Sequence, residues 1–248
     1  MKYVILSVLS FFLLNCKNVE TEKLSAETIV NKSIDVSGSA KVISSIIDFD
    51  FRDRHYSAHR NLGDFSLMRI TIETNNDSVF DVLSNDEFVR YINDNETIFV
   101  EDSMKVKYSA SVNSVHYFSV LPYGLNDKAV NKTLLDDVSI NKQWYHTVKV
   151  TFNQDGGGED FEDVFLYWIN VETFELDYLA YSYVEDDGLG LRFREAYNER
   201  YINDIRFVDY NNYKPKDASI ALSELPNLFE TGELKLLSKI ELENVTVN

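Results

Sequence analysis

The residues of this chain that could do chemistry are few: four histidines, one cysteine and a pair of arginines two positions apart. His55 and His59 stand four apart, the spacing that lets two imidazoles share a metal on a helix. They sit in Arg52-Asp-Arg-His-Tyr-Ser-Ala-His-Arg60, which reads as the continuation of a strand, where that spacing is about 13 Å. No Glu follows the first histidine, so no metal site is expected. Arg192 and Arg194 fall on one face of a strand, roughly 7 Å apart, and could clamp a carboxylate or phosphate. Glu162, Asp177 and Asp209 on neighbouring strands offer cross-strand ion pairs instead. His116 lies on the apolar side of a helical stretch, the place of a hydrogen-bonded core imidazole or of a base. His146 follows Trp144-Tyr145 in a strand and reads as packing.

The familiar motifs fail on inspection. The acids around Asp155-Gly-Gly-Gly-Glu159 lack the Asp-x-Asp-x-Asp-Gly order of a calcium loop. The three glycines lack the Lys-Ser/Thr of a phosphate loop, and Phe193 stands where a dinucleotide fingerprint starting at Gly188 needs glycine. There is no Gly-x-Ser-x-Gly elbow. The residues therefore assign no catalytic group, no metal and no cofactor.

Cys16 ends the one long apolar run. Lys2 supplies a positive start and Tyr3 to Leu14 an apolar stretch of signal-peptide size, too short for a typical spanning helix. A lone cysteine also excludes an internal disulfide framework. Leu13-Leu-Asn-Cys16 resembles the lipobox of bacterial lipoproteins, although Asn15 replaces the usual Gly, Ala or Ser. The expectation is a signal peptide over 1–15, an acylated Cys16 and tether over 16–24, and a single domain over 25–248. The formal charge of −17 speaks against nucleic acid as a partner and against charge-driven adhesion to an anionic membrane. Membrane attachment would run through Cys16.

The elements that must position any site follow from periodicity. Ser25 as N-cap and Gly38 as terminator bracket an opening helix. Ile47, Phe49 and Phe51 alternate with Asp48, Asp50 and Arg52 in a strand expected to run on towards His59. Further strands are expected over 65–73, 80–91 and 97–100, then a helix over 103–121 closed by Pro122 and Gly124. A short helical or irregular piece over 126–135 precedes strands at 138–140 and 144–152. Four aromatic-rich segments between Phe161 and Tyr213, separated by Asn/Asp/Gly turns, read as an antiparallel meander. Leu225 to Phe229 reads as a loop, and Leu234 to Val247 as one last strand-like stretch. Grouped strands with few helices argue for an α+β domain on a large antiparallel sheet.

The meander carries two apolar faces. Phe165, Tyr167 and Ile169 share one, and Leu166 and Trp168 the other. Tyr178 and Ala180 oppose Leu179, Tyr181 and Tyr183 in the same way. Such a sheet is covered on both sides, either by a helix-plugged core or by an apolar ligand in a half-barrel.

Ser111-Val-Asn-Ser-Val-His-Tyr-Phe118, Leu121-Pro-Tyr-Gly-Leu125, Gly156-Gly-Gly-Glu-Asp, Glu162-Asp-Val-Phe-Leu-Tyr-Trp-Ile169 and Leu191-Arg-Phe-Arg-Glu-Ala-Tyr-Asn-Glu-Arg200 carry a resemblance over nearly all of the chain after Cys16. It is to an uncharacterised Gram-negative lipoprotein family with a lipoprotein-carrier-like (LolA-like) fold. The resemblance implies a large curved antiparallel sheet, an unclosed half-barrel, with a few helices on its concave side. It also implies a cell-envelope location, and no activity. Chains of this kind sometimes bear an aldolase-type name, but a class I aldolase is a (β/α)₈ barrel and the required strand–helix alternation is absent. Three functional readings follow. One is a tethered module binding an apolar or lipid-like molecule near His116, Trp168, Tyr181 and Tyr183, with Arg192 and Arg194 as further candidates. The second is a scaffold lipoprotein without ligand. The third is an enzyme on a small anionic substrate, which requires Arg192, Arg194, Glu195 and His116 to converge.

Overall fold

The computed structural model describes residues 24–93, 96–156, 161–185 and 188–248. Signal-peptide and anchor expectations for 1–23 lie outside them. Ser25 caps helix α1 (Ala26–Val36), its hydroxyl accepting the Thr28 N–H at 3.1 Å. Gly38 leaves the helix at φ +62°, and a side chain there would collide with the backbone carbonyl of Asp204.

The strands that follow are β1 (Ile46–Phe51), β2 (Arg54–Asn61), β3 (Asp64–Ile72), β4 (Ser78–Ser84), β5 (Phe88–Ile92) and β6 (Glu96–Ile98). Helix α2 (Asp102–Ser119) comes next, then β7 (Val130–Leu134), β8 (Val138–Ile140) and β9 (Gln143–Phe152). The meander is β10 (Val164–Asn170), β11 (Leu176–Glu185), β12 (Gly188–Ile202) and β13 (Ile205–Lys214). Helix α3 (Leu225–Glu230), β14 (Lys235–Ile240) and β15 (Glu243–Val247) close the described chain. All ladders are antiparallel. A first sheet runs β15-β1-β2-β3-β4-β5-β6 and a second runs β14-β13-β12-β11-β10-β9-β7, with β8 also on β9.

Local chemistry explains where the expected elements needed correction. The strand through Ile47 turns back at Arg52-Asp53, with Arg52 at φ +57°, so the His55–His59 segment is the partner of β1 and not its continuation. The 80–91 stretch likewise folds back after Ser84, whose hydroxyl accepts the Asp86 and Glu87 N–H groups. Residues 130–134 are a strand, pairing with the far end of β9. Leu225-Pro-Asn-Leu-Phe is helical, with Pro226 in the first turn, where its missing N–H costs nothing. The last stretch is two strands that belong to different sheets.

Alternation then sets the faces. In the first sheet Ile47, Phe49, Tyr56, Ala58 and Leu67 point inward and are buried, while Asp48, Asp50 and His55 face outward. In the second sheet Val148, Val150, Phe165, Tyr167, Ile169 and Leu179 form the inner face and pack on Ile29 and Val30 of α1. The outer face presents Leu166, Trp168, Tyr178 and Phe193, covered by Leu225 and Phe229 of α3. Each such side chain removed from water contributes about 1.5–3 kcal/mol. Both faces of the meander are thus covered, each by a different helix.

The sheets are joined where β14 passes into β15. Asp209, almost fully buried, accepts from Asn198 Nδ2 (2.6 Å), Arg200 Nη2 (3.1 Å) and the Leu242 N–H (3.0 Å). Arg200 also donates to the Leu242 carbonyl at 2.7 Å. A bulge between Tyr197 and Arg200 bends β12 so that these groups meet.

Candidate functional site

Helix α2 lies inside the curve and touches both sheets. Towards the first sheet, Val112 and His116 are fully buried. His116 packs edge-on to Phe49 and Tyr56 at 5.7 and 5.5 Å, and its Nε2–H donates to the Met68 carbonyl at 3.0 Å. Ser111 accepts from Arg69, which sits in a buried row with Asp81 and Arg90 on β3, β4 and β5. Towards the second sheet, Tyr117 and Tyr167 share a 2.7 Å hydroxyl–hydroxyl bond, and Phe118 lies against Phe165 and Tyr181.

The helix does not fill the space. A cavity of about 970 Å³ remains between α2 and the inner face, at the upper end of the roughly 300–1,000 Å³ typical of ligand sites. Its wall is built from Phe118, Phe165, Tyr181, Val208, Tyr210 and Ile240. Phe165 stacks on Tyr181 at 5.2 Å, and Tyr181 meets Tyr183 at 5.7 Å. Val106 and Val184 line it while being 47% and 71% exposed, which places its mouth beside them. Burial pushes the Tyr210 phenol up to about 12.

Charge enters through β12. Arg192 and Arg194 project inward together, as alternation requires. Arg192 rests over the Tyr183 ring at 4.9 Å and bonds back to the Leu191 carbonyl. Arg194, 7% exposed, lies over Phe118 at 3.9 Å and donates to the Tyr181 hydroxyl at 2.9 Å. Asn212 stands directly opposite it on β13 and Ser238 opposite Asn212 on β14, and all three line the cavity.

Gly190 gives Tyr183 its place. The two are register partners, and a Cβ at Gly190 would stand 2.3 Å from the ring. Alanine at an open strand position usually stabilises by about 0.5–1 kcal/mol relative to glycine. Here the sign should reverse: in Gly190→Ala the ring is displaced and its stacking on Arg192 is lost, for a net cost of about 1 kcal/mol. Urea unfolding of the two proteins reads it directly, and a gain in stability would show that the ring moves freely.

Of the candidates, Tyr181, Tyr183, Arg192 and Arg194 are brought together around one space. His116 and Trp168 are not among them. His116 is sealed against the first sheet, and burial first, with the nearby Arg60 charge, drives its pKa down to about 3 against the opposing Met68 bond. Trp168 alternates with Phe165 and Tyr167, so it points to the outer face and packs on Phe193 at 5.6 Å. Glu195 also faces outward, accepting from Tyr213 Oη and Asn211 Nδ2. The enzyme constellation of Arg192, Arg194, Glu195 and His116 is therefore not assembled. His55 pairs with Asp50 at 2.7 Å and His146 with Asp137 at 2.9 Å. Among the described residues no cluster of three or more His, Cys, Asp or Glu could hold a metal. Phe165 is a lining residue that register with Tyr181 could have indicated, whereas Tyr210, Asn212 and Ser238 depend on the β12 bulge and on β14, and Phe118 on which side of α2 meets the cavity.

The fold is that of a LolA superfamily protein of Nitrosomonas europaea, with a TM-score of 0.51 at 12% identity over 90% of this chain and 93% of that one. An outer membrane lipoprotein-sorting protein domain of Vibrio parahaemolyticus aligns over 81% of this chain and 98% of its own, with 8% identity and a TM-score of 0.37. No match is found among curated proteins. Residues 2–242 match a family of unknown function, DUF6503, and this protein belongs to that family.

Proposed function

We propose that this protein is a lipid-anchored envelope lipoprotein that holds a hydrophobic, lipid-like molecule between α2 and the inner face of its half-barrel. The observation that carries the reading is the aromatic and aliphatic cavity of about 970 Å³. A scaffold with no ligand gains stability by filling such a volume, because each unfilled space forfeits dispersion contacts. The unclosed half-barrel supports the same reading, since it leaves room inside that a small closed barrel fills with its own side chains. In this proposal residues 1–15 are a signal peptide, Cys16 carries the acyl anchor, 17–24 form the tether, and 25–248 make one ligand-binding domain. That location rests on the Leu13-Leu-Asn-Cys16 motif and on the apolar run before it.

The test is extraction of protein purified under native conditions, followed by mass spectrometry of the organic phase and of the N-terminal peptide. The expected result is an amphiphile recovered near one per chain and a peptide beginning at a diacylated Cys16. An empty extract, together with failure of added long-chain probes to bind, would sink the ligand reading. An unmodified Cys16 would sink the anchor alone.

A further inference from the structure

We infer that the cavity takes an amphiphile with a negatively charged head, carboxylate or phosphate, and that Arg194 receives that head. This rests on the ligand-binding reading above and specifies its chemical class.

Among the described residues the buried arginines are Arg69, Arg194 and Arg206. Arg69 meets Asp81, and Arg206 meets Asp177 and Glu199. Arg194 makes no such pair among the described residues, and its one hydrogen bond there is to a neutral phenol. A guanidinium has five N–H donors in a planar fork. Enclosing it without a counter-charge is costly unless the site is completed by something else. Its Nε–H is enclosed with no acceptor, and Oδ1 of Asn212, the residue directly opposite, is enclosed with no donor. A donor and an acceptor without partners thus lie on the neighbouring strands β12 and β13, beside the aromatic residues of the inner wall. Ser238 extends the row onto β14, bonded to Asn212 Nδ2 at 3.2 Å.

The charge of the wall points the same way. Among the described residues its charged lining is Arg52, Lys105, Arg192 and Arg194 against Glu87 and Asp163, an excess of cations in a chain of formal charge −17. Such a local reversal suits one anionic head with an apolar tail along Phe165, Tyr181 and Ile240. It does not suit a neutral lipid, which would leave the arginine uncompensated, nor a cationic one.

The delipidated full chain is titrated with hexadecanoate, hexadecyl phosphate and hexadecan-1-ol, which share a tail and differ in the head. The acidic probes should bind about 10- to 100-fold tighter than the alcohol, the range of a hydrogen bond to a charged group. The relative affinity of the two acids identifies the head. Arg194→Gln should narrow the gap between acid and alcohol to a few-fold, with Arg192→Gln narrowing it less. Equal binding of acid and alcohol to the unmodified protein overturns the inference and leaves the ligand-binding reading standing. Persistence of the full gap in Arg194→Gln overturns the assignment to Arg194. Binding of none of the probes removes the underlying reading as well. Should Arg194→Gln fail to fold, the comparison of probes on the unmodified protein still decides.

Discussion

Replacing Asp81 by alanine should cost about 3–5 kcal/mol of stability, the range for removing one partner of a buried ion pair. Asp81 is the middle of three residues that stand side by side on β3, β4 and β5, and its side chain is 2% exposed. One carboxylate oxygen takes Arg69 Nη2 at 2.5 Å and the other takes Arg90 Nε at 2.7 Å. Without it two guanidinium groups share an enclosed space beneath α2. Arg90, at 21% exposure, can turn towards water, but Arg69, at 7%, is held by Ser111 and cannot. Combining Asp81→Ala with Arg69→Met should therefore recover much of the loss, because the stranded charge goes with the arginine. Urea unfolding of the single and double variants measures both. A loss below about 1 kcal/mol in Asp81→Ala would mean that the row is solvated and does not fix α2.

The second large effect is in acid. His116 titrates at about 3 in the folded protein against an ordinary value of 6.5. Below 6.5 the unfolded chain therefore binds a proton that the native chain refuses, so stability is full above that pH and declines as pH falls towards 3. Between about pH 7.5 and 4.5 this one imidazole should remove about 3 kcal/mol. Asp177 works in the opposite sense. Burial outweighs the adjacent Arg206 and raises its carboxyl to about 6, so the native chain holds a proton there and gains relative stability as pH falls from 6 towards 4. His116→Gln, which keeps a donor for the Met68 carbonyl but cannot titrate, isolates the histidine. Unfolding midpoints of both proteins across that pH range are the measurement. The unmodified protein should show the steeper acid decline, and parallel profiles would mean that His116 reaches water before the fold opens.

Much of the site was legible in the sequence because it depends on alternation. Once β10, β11 and β12 are strands, Phe165, Tyr181, Tyr183, Arg192 and Arg194 must share a face, and they do. Alternation also placed Trp168 on the other face, so its inclusion among the ligand candidates conflicted with its own position. His116 could not be resolved in this way. A helix inside a half-barrel has apolar neighbours on several sides, and its residues alone do not say which side meets β1 and β2 and which the cavity. The turn at Arg52-Asp53 was hidden because no Gly, Pro or Asn marks it. There an arginine in the left-handed region is tolerated for the sake of the Phe49–Tyr56 stack, whose rings lie 5.3 Å apart. Asn212 and Ser238 were out of reach because the bulge between Tyr197 and Arg200 shifts β13, and one displaced residue changes every partner beyond it.

The passage from β14 to β15 has a consequence for how the molecule is made. Strand β1 takes β15 as its outer neighbour, and Asp50 holds Asn244 across 194 positions of chain. The same few residues supply β14, the last strand of the other sheet. A chain emerging in order from a ribosome or a translocation pore can therefore form the hairpins of each sheet early and bridge them through α2, but the passage of one strand directly into the other sheet waits for residues 235–247. Until then the edge of the inner wall beside Tyr210 lacks its neighbour Ile240, and closing contacts that span so much chain form slowly. The half-finished protein is a sticky one, and the part of its ligand space walled by Ser238, Ile240 and Leu242 is the last to be completed.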